Sequence, residues 1–485
     1  MSFKSTIGNM VRMAPRKGIN ELVAPEFLSP EFTPDAENVY YENGYLVQMK
    51  GAKKINSTAI TGTPSVNRIH QYRRNDGQTD TLLQGDGNIY RQTGANSFSN
   101  IVSSDIASET YRFSNGLNFS LITRGYAQVP LYWDGTNIRV LGSAPKGLYP
   151  FFYQDHFFIA NIEGIGNTNS FLRSSQQRDI TTWNSGDLWN IETADSEGIT
   201  GISQTGRYLA VFKNSSMTLL YGTFFKQSSS SFDASKVATI KGVGCESHDV
   251  LAIANWALNT PERKGIYEIR DGQISKIITD PIQKFWRTVN WNVSNQISHT
   301  HLPYRGWIVW SVPVSGSGTP TYLVIYDYRE DAIWRLKRST RALATIQEGG
   351  IDKAVFGDSA GVLYEMFNAE DDAGAAISSH IVWPIFGGDS TGATKIWDDV
   401  KIVGKNTGTH ENTLLSDTDN VFGDNRASTT YPNSNGASNQ ETEFKQHVTV
   451  THIGETLRLR IESDATVGGP WGVRYIEARG RQSED

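Results

Sequence analysis

LLQGDGNIYRQTG, residues 82–94, sets an Asp-Gly pair between two short runs rich in apolar and polar alternation. Asp-Gly is a pair that accepts the positive φ angles of a tight two-residue turn, and a period-two pattern places one face of each flanking strand in a core. The stretch therefore predicts a β-hairpin. Five further stretches have the same form: VYYENGYLVQMKG (39–51), PLYWDGTNIRVLG (130–142), GIYEIRDGQISKI (265–277), VIYDYREDAIWRL (324–336) and VFGDSAGVLYEMF (355–367). One hairpin is only marginally stable in water, so a recurring series must stack on itself.

The series runs from about residue 36 to 370, and at roughly 40–50 residues per four-stranded blade it corresponds to about seven blades of a β-propeller. Before it, residues 1–34 are Pro-studded and aperiodic, and read as an extended arm that lies on something else. Behind it the texture changes near residue 372. HVTVTHIGETLRLRIES (447–463) alternates cleanly and predicts a β-sandwich, while the Asn-, Ser- and Thr-rich residues 412–440 read as a long exposed loop. The expectation is thus an all-β chain of an N-terminal arm (1–34), a propeller (35–370) and a C-terminal β-sandwich domain (371–485).

Composition narrows the function. Forty-five Lys and Arg stand against 51 Asp and Glu, a net charge of −6, which lacks the basic footprint of a stable nucleic-acid binder and allows DNA only passing contact. No stretch reaches the roughly 20 apolar residues of a membrane span, and the first 20 residues lack the apolar run of a signal peptide. Membrane insertion is not expected, and the Asn-x-Ser/Thr sites at Asn56, Asn118, Asn214 and Asn292 carry little weight. The single cysteine, Cys245, excludes an intrachain disulfide and reads as a buried small apolar residue.

Catalytic and metal-binding patterns are weak. The sequence has no phosphate-binding glycine loop, dinucleotide fingerprint, zinc-protease motif or nucleophile elbow. His299 and His301 share one face of a predicted strand, but no cysteine or acidic cluster joins them, so they read as satisfied histidines. SDTDNVFGDN (416–425) has the flavour of a calcium loop with Val421 and Gly423 at the wrong positions. The pairs Asp371–Asp372 and Asp398–Asp399 are turn neighbours, and adjacent strand residues point to opposite faces. Trp183, Trp189, Trp334 and Phe212 read as packing residues. The expected protein is not an enzyme and holds no cofactor or metal.

The order of several phrases carries a resemblance. DAENVYYENGYLVQMKGAKKI (35–55), then RDITTWNSGDLWNIETADSEGITGISQTGRYLAVFKNSSMTLLYGT (178–223), GCESHDVLAIAN (244–255), GIYEIRDGQISKIITDPIQKFW (265–286), HLPYRGWIVWSVP (301–313), YLVIYDYREDAIWRL (322–336), VFGDSAGVLYEM (355–366) and the closing GPWGVRYIEARGR (469–481) follow one another. In this order they resemble the β-propeller tail nozzle, or head-stabilisation, proteins of short-tailed bacteriophages. The resemblance implies a structural protein of the virion tail, assembled in the host cytoplasm. It implies a ring, a hexamer in that family, below the portal and its adaptor, where it extends the DNA ejection channel and helps to retain the genome. Implied partners are further copies of the chain, the adaptor and a tail spike or fibre. Arg12, Arg16 and Lys17 in the arm are the candidate partner-contact residues. The alternative is a carbohydrate- or host-receptor-binding propeller of the tail, its aromatic-rich loops stacking on sugar rings.

Overall fold

The computed structural model describes residues 10–94, 96–103, 110–162, 169–191, 196–222, 224, 234–387, 394–405, 411–418, 427–432, 443–463 and 471–482. Seven four-stranded antiparallel sheets follow one another in the chain, at 66–102, 112–140, 147–190, 201–241, 252–277, 298–337 and 341–369. The first six are simple meanders. The seventh takes its outermost strand from far upstream: Gly51–Lys54 pairs with Leu363–Ala369, with Ala52 opposite Met366. Neighbouring blades touch in cyclic order, and the innermost strand of the last sheet, Arg341–Glu348, packs on that of the first, Val66–Arg73. The chain is a β-propeller closed by its own upstream strand.

Turn chemistry builds each blade. Asp86 and Gly87 have φ of 47° and 81°, and Asp271 and Gly272 repeat this at 48° and 79°. These are the left-handed turns that match the twist of the flanking strands. Because successive strands run antiparallel, all turns between first and second strands, and between third and fourth, gather at one end of the propeller, called here the turn end, and the Asp86–Gly87 turn between second and third strands lies at the other. The links from one blade to the next lie at the opposite, link end.

The second unit is a sandwich of a six-stranded and a five-stranded sheet. In Leu457–Ser463, Leu457, Leu459 and Ile461 are fully buried and Arg458, Arg460 and Glu462 stand outward, as the alternation predicts. Two expectations are corrected here. The strands Asp35–Glu37, Val39–Glu42 and Tyr45–Gln48, expected in the propeller, pair in the two sandwich sheets. A hairpin signature specifies a turn and a buried face, and says nothing of which sheet receives them. The expected long loop contains two strands, Glu411–Thr418 and Ala427–Pro432, which pair with each other; the calcium-like stretch lies mostly outside the described residues.

The arm is likewise no free extension. Met10–Met13 pairs with Gly472–Gln482, Gly18 bridges Ile333 of the sixth blade, and Arg335 reaches Glu21 at 2.6 Å and Asp35 at 2.7 Å. Tyr40 meets Trp307 edge to face at 4.8 Å. One apolar core runs from Trp397 and Trp471 of the sandwich through Tyr40 to Trp307 and Trp334 of the sixth blade. Trp183 and Phe212 are buried as expected, and Trp189 is half-buried against Phe158 and Phe224.

Candidate functional site

The inner strands of all seven blades enclose an axial cavity of about 670 Å³. Gln71, Asn115, Phe151, Ser203, Ile253, His301 and Thr345 line it, one from each blade. Its floor is built from three distant points of the sequence. Arg68 and Arg112 stand near the starts of the first and second inner strands, and Asp249 sits in a 3-10 turn of the link before the fifth. Arg68 Nη2 donates to Asp249 Oδ2 at 2.6 Å, and Arg112 donates to the same oxygen from Nε at 3.0 Å and Nη2 at 2.8 Å. Arg68 Nη2 also donates to the Asn295 carbonyl at 2.7 Å. Arg68 lines a smaller depression of about 180 Å³ at the link end as well.

Burial alone would raise the Asp249 carboxyl; Arg112, Arg68 and His248 outweigh it and hold the group well below the usual carboxylate range. The surrounding histidines are shifted down as well, which for a base favours the neutral form. Burial pushes His248 and His70 down to about 4, and lowers His299 and His301. Each is engaged. His299 Nδ1 donates to the Asp249 carbonyl at 2.9 Å, His301 Nε2 lies 3.2 Å from the Tyr328 hydroxyl, and His70 stacks on Phe113 at 4.9 Å while its Nε2 donates to Asn115 Oδ1 at 2.7 Å. His299 and His301 are thus hydrogen-bonded in the wall of the cavity. Among the described residues no group of three or more His, Cys, Asp or Glu side chains is placed to hold a metal ion.

The three arm residues lie elsewhere, and each has a carboxylate partner in its own chain. Arg12 pairs with Glu477 at 2.6 Å and lies 4.1 Å over the Tyr475 ring. Arg16 and Lys17 both reach Glu31, at 2.5 and 3.2 Å. Cys245 is buried, its thiol pushed up to about 12 by burial. Asp249 and its two arginines went unnoticed in the sequence because 181 and 137 residues separate the partners. No local motif marks such a cluster. The available signal was the single Asp in GCESHDVLAIAN, an acid immediately before an apolar run.

The fold and this site define a closed β-propeller with a buried ion cluster in the lining of its axial cavity. No family model and no curated protein matches the sequence. Similar solved structures include a streptogramin B lyase, with a TM-score of 0.41 and 10% identity over 65% of this chain and 96% of that one. Virginiamycin B lyase from Staphylococcus aureus gives 0.43 and 12% over 65% and 98%. The extracellular domain of a putative hybrid two-component system from B. thetaiotaomicron gives 0.40 and 10% over 72% and 42%. At these values no activity passes from those proteins to this chain. No helix among the described residues is long and apolar enough to cross a membrane.

Proposed function

We propose that this protein is a non-enzymatic structural component of a short-tailed phage virion, a nozzle subunit that forms a ring below the portal and adaptor. One observation carries the reading beside the sequence resemblance. Residues 10–54 supply strands to both sandwich sheets, pack on the sixth blade and close the seventh, so propeller and sandwich share one core and move as one wedge. A wedge fixed in this way transmits force without hinging, which suits the wall of a conduit under load. In this reading DNA runs between copies, along the axis of the ring, and not through any propeller. Head-to-tail contacts between identical wedges close into such a ring when the rotation closes.

In this reading Arg12, Arg16 and Lys17, whose side chains are 61%, 51% and 41% exposed, keep donors toward solvent for an adaptor surface although each has an internal partner. Light scattering on the purified protein, alone and mixed with a tail extract, tests the proposal. A mass of about six copies, alone or with the extract, supports it. A monomer that binds no tail protein overturns it.

A further inference from the structure

The link end of the propeller axis carries more positive charge than its own carboxylate balances. Arg68 and Arg112, both nearly buried, share the one carboxylate of Asp249. The depression beside them, of about 180 Å³, brings in a further guanidinium, that of Arg341. Among the described residues no aspartate or glutamate lines that depression. The histidines leave the balance as it is, since burial favours neutral His248 and His299 rings.

Arg68 shows the imbalance at the level of atoms. Its Nη2 donates to Asp249 Oδ2 and to the Asn295 carbonyl, and its Nη1 donates to the Asn67 carbonyl at 3.0 Å. Its Nε is buried and has no hydrogen-bond partner. A buried donor in that state calls for a group the fold itself does not supply, and a donor on a cation is matched best by an anion. Burial, with Arg112 close by, holds the Arg68 guanidinium below its usual range in spite of Asp249, so added negative charge here is stabilising. Arg341 begins the innermost strand of the seventh blade, and its side chain makes no hydrogen bond or ion pair among the described residues.

The arrangement of donors selects among anions. Asn67 and Arg68, Thr110, Gln296 and Arg341 belong to four separate segments of the chain and line one small space. Donors from several sides suit an anion whose oxygens point in several directions, whereas a carboxylate offers two oxygens in a single plane. The volume is below the range of about 300–1,000 Å³ usual for whole small-molecule sites, so the depression admits a single group.

We infer that the link-end depression binds a phosphate group, held by Arg68 and Arg341. The inference does not depend on the tail-ring reading.

Isothermal titration calorimetry of the full chain with inorganic phosphate, at constant ionic strength, tests it. A single saturable site of millimolar or tighter affinity is expected. Arg341→Gln, which leaves the Asp249 cluster intact, should weaken it by at least about tenfold, the loss of one charge-assisted contact. Arg139→Gln removes the same charge from the exposed pair with Asp134 on the second blade and should leave phosphate affinity unchanged. Thermal melts establish that both variants keep the fold. A thymidine oligonucleotide that displaces phosphate assigns the group to a nucleic-acid backbone, and one that does not assigns it to free phosphate; both results keep the site. The inference fails if no saturable binding appears at tens of millimolar phosphate, or if the two variants lose affinity equally, which would reduce the effect to net charge. It also fails if acetate binds as tightly as phosphate, which would make the depression a contact for carboxylates.

Discussion

Asp249 is the residue on which the propeller axis depends. Its side chain is 11% exposed, and it meets two guanidiniums that are 11% and 9% exposed. Removing the one carboxylate leaves buried cations facing each other, and breaking a buried pair in this way costs about 3–5 kcal/mol. Asp249→Asn should therefore lower the unfolding free energy by that amount in urea titration, whereas Asp76→Asn, at an exposed turn, should change it by less than about 0.5 kcal/mol. The histidines give a second test. His70 and His248 take up a proton near pH 4 when folded and near their ordinary value of 6.5 when unfolded. The unfolded chain thus binds more protons between those limits, so stability is full above about pH 7 and falls as the pH drops from 6.5 toward 4. Melting temperature against pH should show this slope, and His70→Gln should flatten it. A slope identical in the variant would assign the effect to other groups.

At the scale of elements, the arm is held by close backbone approach. A Cβ on Gly18, at φ of 80°, would lie 2.3 Å from the Ile333 carbonyl oxygen. Gly18→Ala should detach the arm from the sixth blade and speed proteolysis within residues 14–34. Gly44→Ala, at φ of 87° with nothing near its Cβ, should cost only the turn strain of about 1 kcal/mol. Equal protease resistance of Gly18→Ala and the parent would contradict the clamp. These elements also show what the sequence made legible. The hairpins at 82–94, 265–277 and 324–336 were readable because turn and alternation are local properties. The hairpin at 39–51 was equally readable as a hairpin, yet its sheet was not, since Tyr40 finds Trp307 across 267 positions through packing alone. Residues 411–418 and 427–432 resemble a loop in composition, yet ladder hydrogen bonds hold the first as an inner strand between 457–463 and 427–432 and the second at the sheet edge. The axial cluster was invisible for the same reason of distance.

At the scale of the molecule, residues 10–54 tie both units together. A chain lacking them would leave the seventh sheet without its outer strand and would strip three strands from one sandwich sheet and one from the other. Such a truncation should give no cooperative melting transition, whereas an arm bound only to a neighbouring protein would be dispensable for folding. The same tie underlies the central claim, that this is a rigid wedge of a ring. Negative-stain electron microscopy of the protein, alone and with tail extract, tests it most directly. The account predicts class averages of a closed ring of about six wedges around a hole wide enough for a DNA duplex, with no density path through any single propeller. Isolated particles under both conditions, or DNA threading one propeller, would contradict it.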